Sequence, residues 1–304
     1  MKSGFVAVLG KPNAGKSSLV NKLVGFNVAI ITPKPQTTRF NIKGIRTTDT
    51  SQIIFIDTPG VHTPKNKLGE YMMKGVSQAV DNVDAILYIV DGSKPVLDDA
   101  NKGIMEQIVK TKKDVILAIN KVDKIKKENI LRIIDEYNKY IKAIGGCFKD
   151  IVPISIYKND GLDVLVECIE NSLPEGDIIF DTDEVTDITQ RELVEEYIRE
   201  KALKYLDEEI PHGLSIQVEK MKDRVTENGN LVYDIEANII CKKDSHKGII
   251  IGKNGEMLKK IGSAARRDME EMLDARVNLK LWVKVRADWD DNDTYLSSFK
   301  NKVR

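Results

Sequence analysis

Gly10-Lys11-Pro12-Asn13-Ala14-Gly15-Lys16-Ser17, followed by Ser18, is a stretch suited to cradling phosphate. Its glycines let the backbone curl until successive N–H groups face an anion, and a helix starting there adds its positive end. Lys16 can reach the β- and γ-phosphates of a nucleoside triphosphate, and the Ser17 hydroxyl suits Mg²⁺. Asp57-Thr58-Pro59-Gly60 then sets an acid able to hold Mg²⁺ through water just ahead of an N–H able to touch a γ-phosphate. Alone, that tetrapeptide also suits an ordinary turn. Asn120-Lys121-Val122-Asp123 supplies base recognition, because the Asp123 carboxylate can accept from both the N1–H and the exocyclic amine of guanine. Adenine lacks that pair of donors and would leave the carboxylate unpaired. In this order, the three motifs describe a guanine-nucleotide site.

Such residues need a frame. Short β-branched runs predict strands over 5–9, 53–56, 85–90, 115–119 and 151–154, with helices over 16–24 and 130–144 between them. Runs without in/out alternation fit strands covered on both faces by helices, which gives a doubly wound α/β domain. All three motifs fall at carboxyl ends of those strands, where such sheets bind ligands.

The motifs resemble the G1, G3 and G4 elements of translation-factor-class GTPases. By that resemblance Gln36-Thr37-Thr38-Arg39 fills the first switch and Ser155-Ile156 the fifth motif, whose backbone N–H approaches the guanine oxygen. Ser-Ala is commoner in that family, so Ile156 implies local repacking. Thr37 and Thr38 both qualify to close over Mg²⁺, and the resemblance favours Thr38. The implied site binds GTP or GDP with Mg²⁺ on Ser17, Thr38 and Asp57, and Lys16, Thr38 and Gly60 act in hydrolysis. Many GTPases orient the attacking water with a glutamine after the D-x-x-G glycine. Val61 stands there instead, which implies slow intrinsic turnover. His62 is a weak candidate base, and Asn13 resembles the asparagine that holds K⁺ beside the phosphates in related proteins.

Residues 1–173 therefore form the first domain. Residues 174–190 hold six acids and no base and read as an extended connector. Thr189-x-x-Glu192 is a capping-box pattern. The following 191–286 read as helix, strand, strand, helix, loop, helix, strand, with a hairpin turn at Glu227-Asn228-Gly229-Asn230. Within this domain Leu258, Ile261, Ala265, Met269 and Met272 form the buried stripe expected of the helix over 256–273. The loop is Gly252-Lys253-Asn254-Gly255. This order resembles an α+β type II KH domain, whose glycine loop lets the backbone approach about four unpaired nucleotides. Lys253, Asn254, Lys259 and Lys260 are the expected RNA contacts. Twelve Lys and Arg against six Asp and Glu over 241–286 agree with a polyanionic partner, although the whole chain is formally neutral.

The remaining composition bounds the setting. At 304 residues the chain allows about two domains. Its 41% apolar and 31% charged residues exclude disordered and fibrous classes. Cys147, Cys168 and Cys241 lack paired spacing, so neither disulfides nor zinc is expected. The amino terminus reads as a strand, not a leader, and no run is long enough to span a membrane. A cytoplasmic protein is expected.

Across nearly its whole length, including 60–72 and 208–212, the chain resembles the Era family of bacterial GTPases. That implies a Ras-like P-loop GTPase domain joined to a KH domain. It also implies binding of 16S rRNA near its 3′ end, a role in small ribosomal subunit biogenesis, and peripheral association with the inner face of the cell membrane. DNA is not an expected partner, and a monomer is favoured. A rival reading makes the second domain a protein- or membrane-docking module, supported by Trp289, Tyr295, Leu296 and Phe299 of the 287–304 tail, which could pack on a partner or simply on the domain itself.

Overall fold

The computed structural model describes residues 1–292 and Leu296, except Pro35, His62, Thr63, Lys65, Pro95, Val96 and the side chain of His212. His62, Tyr295 and Phe299 lie outside the described residues. Two compact units emerge, one of residues 1–29 with 38–187, the other of 30–37 with 188–292 and Leu296.

The first unit runs β1 (Lys2–Leu9), α1 (Lys16–Val24), β2 (Ile42–Thr47), β3 (Ser51–Asp57), α2 (Lys67–Asp81), β4 (Ala85–Asp91), α3 (Asp99–Thr111), β5 (Asp114–Asn120), α4 (Lys127–Ala143), β6 (Asp150–Pro153) and α5 (Leu162–Glu170). Its sheet has the order β2-β3-β1-β4-β5-β6. The five strands read from the sequence are there and mutually parallel. Val6, Ile53, Ile54, Phe55, Ile86, Leu87, Ile116 and Leu117 are wholly buried, as strands covered on both faces require. β2 was not expected. It pairs antiparallel with β3 and makes the sheet mixed. Lys43, Gly44 and Arg46 blur its apolar pattern, yet Gly44 is needed, since a Cβ there would lie 2.7 Å from Val20 Cγ1.

The acidic stretch after α5 is extended but tied down within this unit. Gln52, fully buried, accepts from the N–H groups of Ile179 and Phe180 and donates to the Phe180 carbonyl. Further on, the Ile45 N–H donates to the Val185 carbonyl at 2.9 Å. A free linker would leave the buried side-chain oxygen of Gln52 without a partner, at a cost of about 1–3 kcal/mol, while its amide would keep only Thr47.

The second unit contains α6 (Gln190–Tyr205), β7 (Ser215–Val225), β8 (Leu231–Cys241), α7 (Asp244–Ile251), α8 (Glu256–Leu273) and β9 (Arg276–Val285). Thr189 and Glu192 form the full capping box. The sheet order is β7-β8-β9, with β7 antiparallel and β9 parallel to β8. Ile261, Ala265 and Met269 are fully buried, as expected, whereas Leu258 and Met272 are only half-buried. Trp289 is buried with its Nε1–H donating to the Gly213 carbonyl at 3.0 Å, and Leu296 is also buried. Of the described tail residues, the two expected docking contacts thus belong to the fold's own packing.

Candidate functional site

The first glycine loop joins β1 to α1 at the place where the strand order reverses. Gly10 has φ 154° and lies against β4, so a Cβ there would sit 2.3 Å from the Ile89 carbonyl. Gly15 has φ 110°, and a Cβ there would meet Asn120 Nδ2 at 2.4 Å. These positions admit glycine alone, which brings the motif at the end of β5 against the loop.

Asn120 fastens that junction. Its Nδ2 donates to the Ala14 carbonyl at 2.8 Å, and its Oδ1 accepts from the N–H of Lys121 at 2.8 Å and of Ile156 at 3.4 Å. Lys121 donates to the Asn13 carbonyl at 2.9 Å and pairs with Asp91 at 2.6 Å. Lys11 pairs with Asp98 ahead of α3. Gly60 packs on Pro12, and Val61 rests against the apolar core. Pro59 is buried beside Thr58, whose hydroxyl donates to the Val8 carbonyl at 2.7 Å. Ser18 lies in the first turn of α1, and Val122 opens a short 3₁₀ turn, its N–H donating to the Ile154 carbonyl.

Three oxygens converge at the amino end of α1. Ser17 Oγ lies 2.6 Å from Asp57 Oδ2 and 2.9 Å from Thr38 Oγ1, which lies 3.3 Å from the same carboxylate oxygen. Asp57 Oδ1 is buried without a hydrogen-bond partner. An acceptor so placed suits a hard cation, and this all-oxygen donor set fits Mg²⁺. The two threonines are also separated. Thr37 donates to the Lys34 carbonyl and lies 2.6 Å from Thr32 Oγ1, inside its own loop. Only Thr38 faces Ser17.

Lys16 is buried and donates to the carbonyls of Gly10 and Lys11. Burial pulls its ammonium down to about 8, against the opposing attraction of Asp57. Burial pushes the Asp57 carboxyl up, opposed by Lys16 and by the hydroxyls of Ser17 and Thr38. Asp123 behaves oppositely. Its carboxylate accepts from the Ser155 hydroxyl at 2.6 Å, and that bond holds its pKa below the ordinary value. Ser155 Oγ also accepts from the Lys158 N–H. Asp123 thus presents a charged acceptor held by Ser155. Ile156, the departure from the usual alanine, packs against Gly15.

The second glycine loop joins α7 to α8. Gly252, Asn254 and Gly255 have φ of 72°, 52° and 79°, so the backbone turns left-handed at three of four positions. Lys253 and Asn254 are exposed. Beside the loop runs a groove of about 320 Å³ lined by Gly255, Leu258, Lys259, Gly262, Arg266 and Leu281, among others. Leu258, expected in the core, is one wall of it. Lys260 is not among the lining residues; its ammonium stands 4.4 Å over the Tyr205 ring. Arg266 was not among the expected RNA contacts, although 255, 259, 262 and 266 fall on one helical stripe. Among the described residues no cluster of His, Cys, Asp and Glu forms a metal site, and no helix is long and apolar enough to cross a membrane.

Comparison with known proteins agrees with this arrangement. Residues 5–121 match the family model described as 50S ribosome-binding GTPase, and 209–290 match the KH domain model. GTPase Era of Clostridioides difficile (strain 630) is 46% identical over 299 residues, 98% of each chain. GTPase Era of Ruminiclostridium cellulolyticum is 47% identical over 303 residues, 99% of this chain and 98% of that one. Two solved structures superpose with TM-scores of 0.92 at 39% identity, each covering 98% of this chain. One is a variant of Aquifex aeolicus Era bound to GDP·AlF4⁻, covered to 99%, and the other is Era with MgGDPNP and nucleotides 1506–1542 of 16S ribosomal RNA, covered to 98%. With relatives this similar along nearly its whole length, the chain belongs to the Era family of GTPases.

Proposed function

We propose that this GTPase is a nucleotide-driven switch in small ribosomal subunit biogenesis, holding 16S rRNA near its 3′ end through the glycine loop and groove of its second unit. The observation that carries the reading is the pairing of two sites in one chain. One is a loop built around an Asp123–Ser155 base clamp, the other a left-handed glycine turn beside a groove holding Lys259 and Arg266. Its nearly full-length similarity to an Era solved with that stretch of rRNA supports the choice of RNA.

Hydrolysis of GTP follows from the first site. The loop N–H groups and the Lys16 ammonium hold the β- and γ-phosphates and spread the negative charge that builds on them. Ser17, Thr38 and Asp57 would hold Mg²⁺, which when bound neutralises phosphate oxygens. Thr38 and the Gly60 N–H fix the γ-phosphate side, while Asp123 selects guanine. Val61 gives no polar group to orient water, so basal turnover is slow. The side-chain oxygen of Asn13 would hold K⁺, and turnover then rises when K⁺ replaces Na⁺; equal rates in both salts remove this element.

RNA contact divides between the exposed loop, where Lys253 and Asn254 meet phosphate and sugar, and the groove, whose Leu258 and Leu281 walls receive bases. Lys259 lines that groove, and Lys260 contributes longer-range attraction. The protein acts as a cytoplasmic monomer, and the family resemblance adds peripheral contact with the inner face of the membrane. The direct test is copurification of untagged protein with small-subunit particles. Retention should be greater with a non-hydrolysable GTP analogue than with GDP, and absence from the particles in both states would refute the reading.

A further inference from the structure

The face of the second-unit sheet turned away from α8 carries an arrangement that the groove does not use. Along β9, Val277, Leu279, Leu281 and Val283 point to the helix side, while Asn278, Lys280, Trp282 and Lys284 point the other way and are exposed. Trp282 remains 44% exposed. The chain has two tryptophans, and Trp289 is by contrast fully buried. Lys280 and Lys284 stand two residues to either side of Trp282 on the same face, at about 6.6 Å spacing along the strand.

The parallel register sets Asn238 beside Trp282 and Glu236 beside Lys280. Asn238 donates to Glu219, which also lies 3.4 Å from Lys284. On β7, Lys220 and Lys222 are exposed opposite Glu236 and Asp234. Acids and bases therefore alternate near the middle of the sheet, whereas β9 itself offers only bases, an amide and the indole on this face. An open aromatic ring between ammonium groups is the pairing that receives unpaired nucleotides, with a base on the ring and phosphates on the cations.

Position connects this patch with the groove. β9 is an end strand of the sheet, Leu279 and Leu281 line the groove on one face, and Trp282 is the next residue on the other. Among the described residues the groove lining contains no aromatic side chain, so its bases would rest on leucines. A single strand leaving the groove at Leu281 needs to turn round only one strand edge to reach the indole.

We propose that Trp282, flanked by Lys280 and Lys284, is a second contact for single-stranded RNA, stacking a base beyond those held in the groove. It rests on the reading of the groove as an RNA site, and the experiment separates the two. Oligonucleotides of the 16S 3′-terminal sequence, one of about four nucleotides, enough for the groove, and one of about 20, are titrated against wild type, Trp282→Ala and Trp282→Phe. Loss of one stacked base weakens the long RNA by about 5-fold or more in Trp282→Ala. The short RNA is unaffected, Trp282→Phe recovers most of the affinity, and RNA-free GTP hydrolysis stays unchanged as the check on folding. In the wild type, the long RNA quenches the indole emission of exposed Trp282 and the short one does not. Unchanged affinity for the long RNA in Trp282→Ala overturns the proposal and leaves the groove reading standing; a face that serves a protein partner gives this result. Failure of wild type to bind either RNA removes the groove reading and this proposal together.

Discussion

The two glycine loops use the same freedom of glycine for opposite ends. In the first, Gly10 and Gly15 are needed because other groups crowd them, the Ile89 carbonyl and the Asn120 amide. In the second, Gly252 is crowded by Met257 at 2.8 Å, but Gly255 has nothing within 4 Å of where a Cβ would be, and its need is conformational, φ 79°. The first loop is closed in by β4, by Asn120 and by Gly60, so it presents a finished pocket to one small ligand. The second is open, with Lys253 and Asn254 in solvent, so a polymer can lie along it. A mononucleotide gains by being surrounded, whereas a chain that continues past both ends of its site cannot be.

The sharpest way to break this contrast is at the base clamp. Asp123→Asn should lower GTP affinity by on the order of 10⁴-fold, since a site built around paired donors rejects a ligand that leaves a group unmatched. Xanthosine triphosphate should bind the variant in its place. RNA affinity should not move. Titrations with both nucleotides measure it, and wild-type GTP affinity in the variant would show that Asp123 does not read the base.

The next effect is at the open loop. Replacing Lys253 and Asn254 by aspartate should reduce RNA affinity by about 100-fold or more and lower the slope of log affinity against log salt by about one, the release associated with one phosphate contact. GTP affinity should remain as in wild type. Equal RNA affinity and equal salt slope in the double variant would mean that the loop does not meet the backbone of the RNA.

A smaller effect tests crowding against conformation directly. Gly15→Ala must both strain a positive φ and displace Asn120, so it should lose about 3 kcal/mol or more of stability and most nucleotide binding. Gly255→Ala meets open space and should lose only the left-handed penalty of about 1–2 kcal/mol. Denaturant unfolding of the two variants gives the difference, and equal losses would erase the distinction between the loops.

How much of this was legible in the sequence follows the same division. The strings 10–17, 57–60 and 120–123 stand out in the sequence because each is short and contiguous at the end of a strand. The side chains that meet them, Ser155 on Asp123 and Ser17 and Thr38 on Asp57, come from elsewhere in the chain. β2 could not, because Lys43, Gly44 and Arg46 interrupt its pattern and the need for Gly44 comes from Val20 on a distant helix. Leu258 was misjudged for a related reason. A groove wall has the apolar spacing of a core stripe, and only the absence of a covering element tells the two apart. Of the two threonines of the first switch, the residue types alone left both open and only resemblance favoured Thr38; hydrogen bonding turns Thr37 into its own loop and leaves Thr38 beside Ser17.

The smallest predicted effect lies inside the finished pocket and depends on pH. The Ser155 hydroxyl holds the Asp123 pKa below its usual value, so the charged acceptor persists to lower pH than an ordinary aspartate would allow. With Ser155→Ala that stabilisation is gone, the Asp123 pKa rises, and protonation removes the acceptor sooner as pH falls. The acid limb of GTP affinity should therefore move to higher pH, while affinity at neutral pH drops only about a few-fold, as expected for one lost hydrogen bond. RNA binding has no such group in its loop and should keep its own profile. An acid limb in the same place for wild type and variant would mean that Asp123 is set by something other than Ser155, and the pocket would then be less finished by its own side chains than its geometry implies.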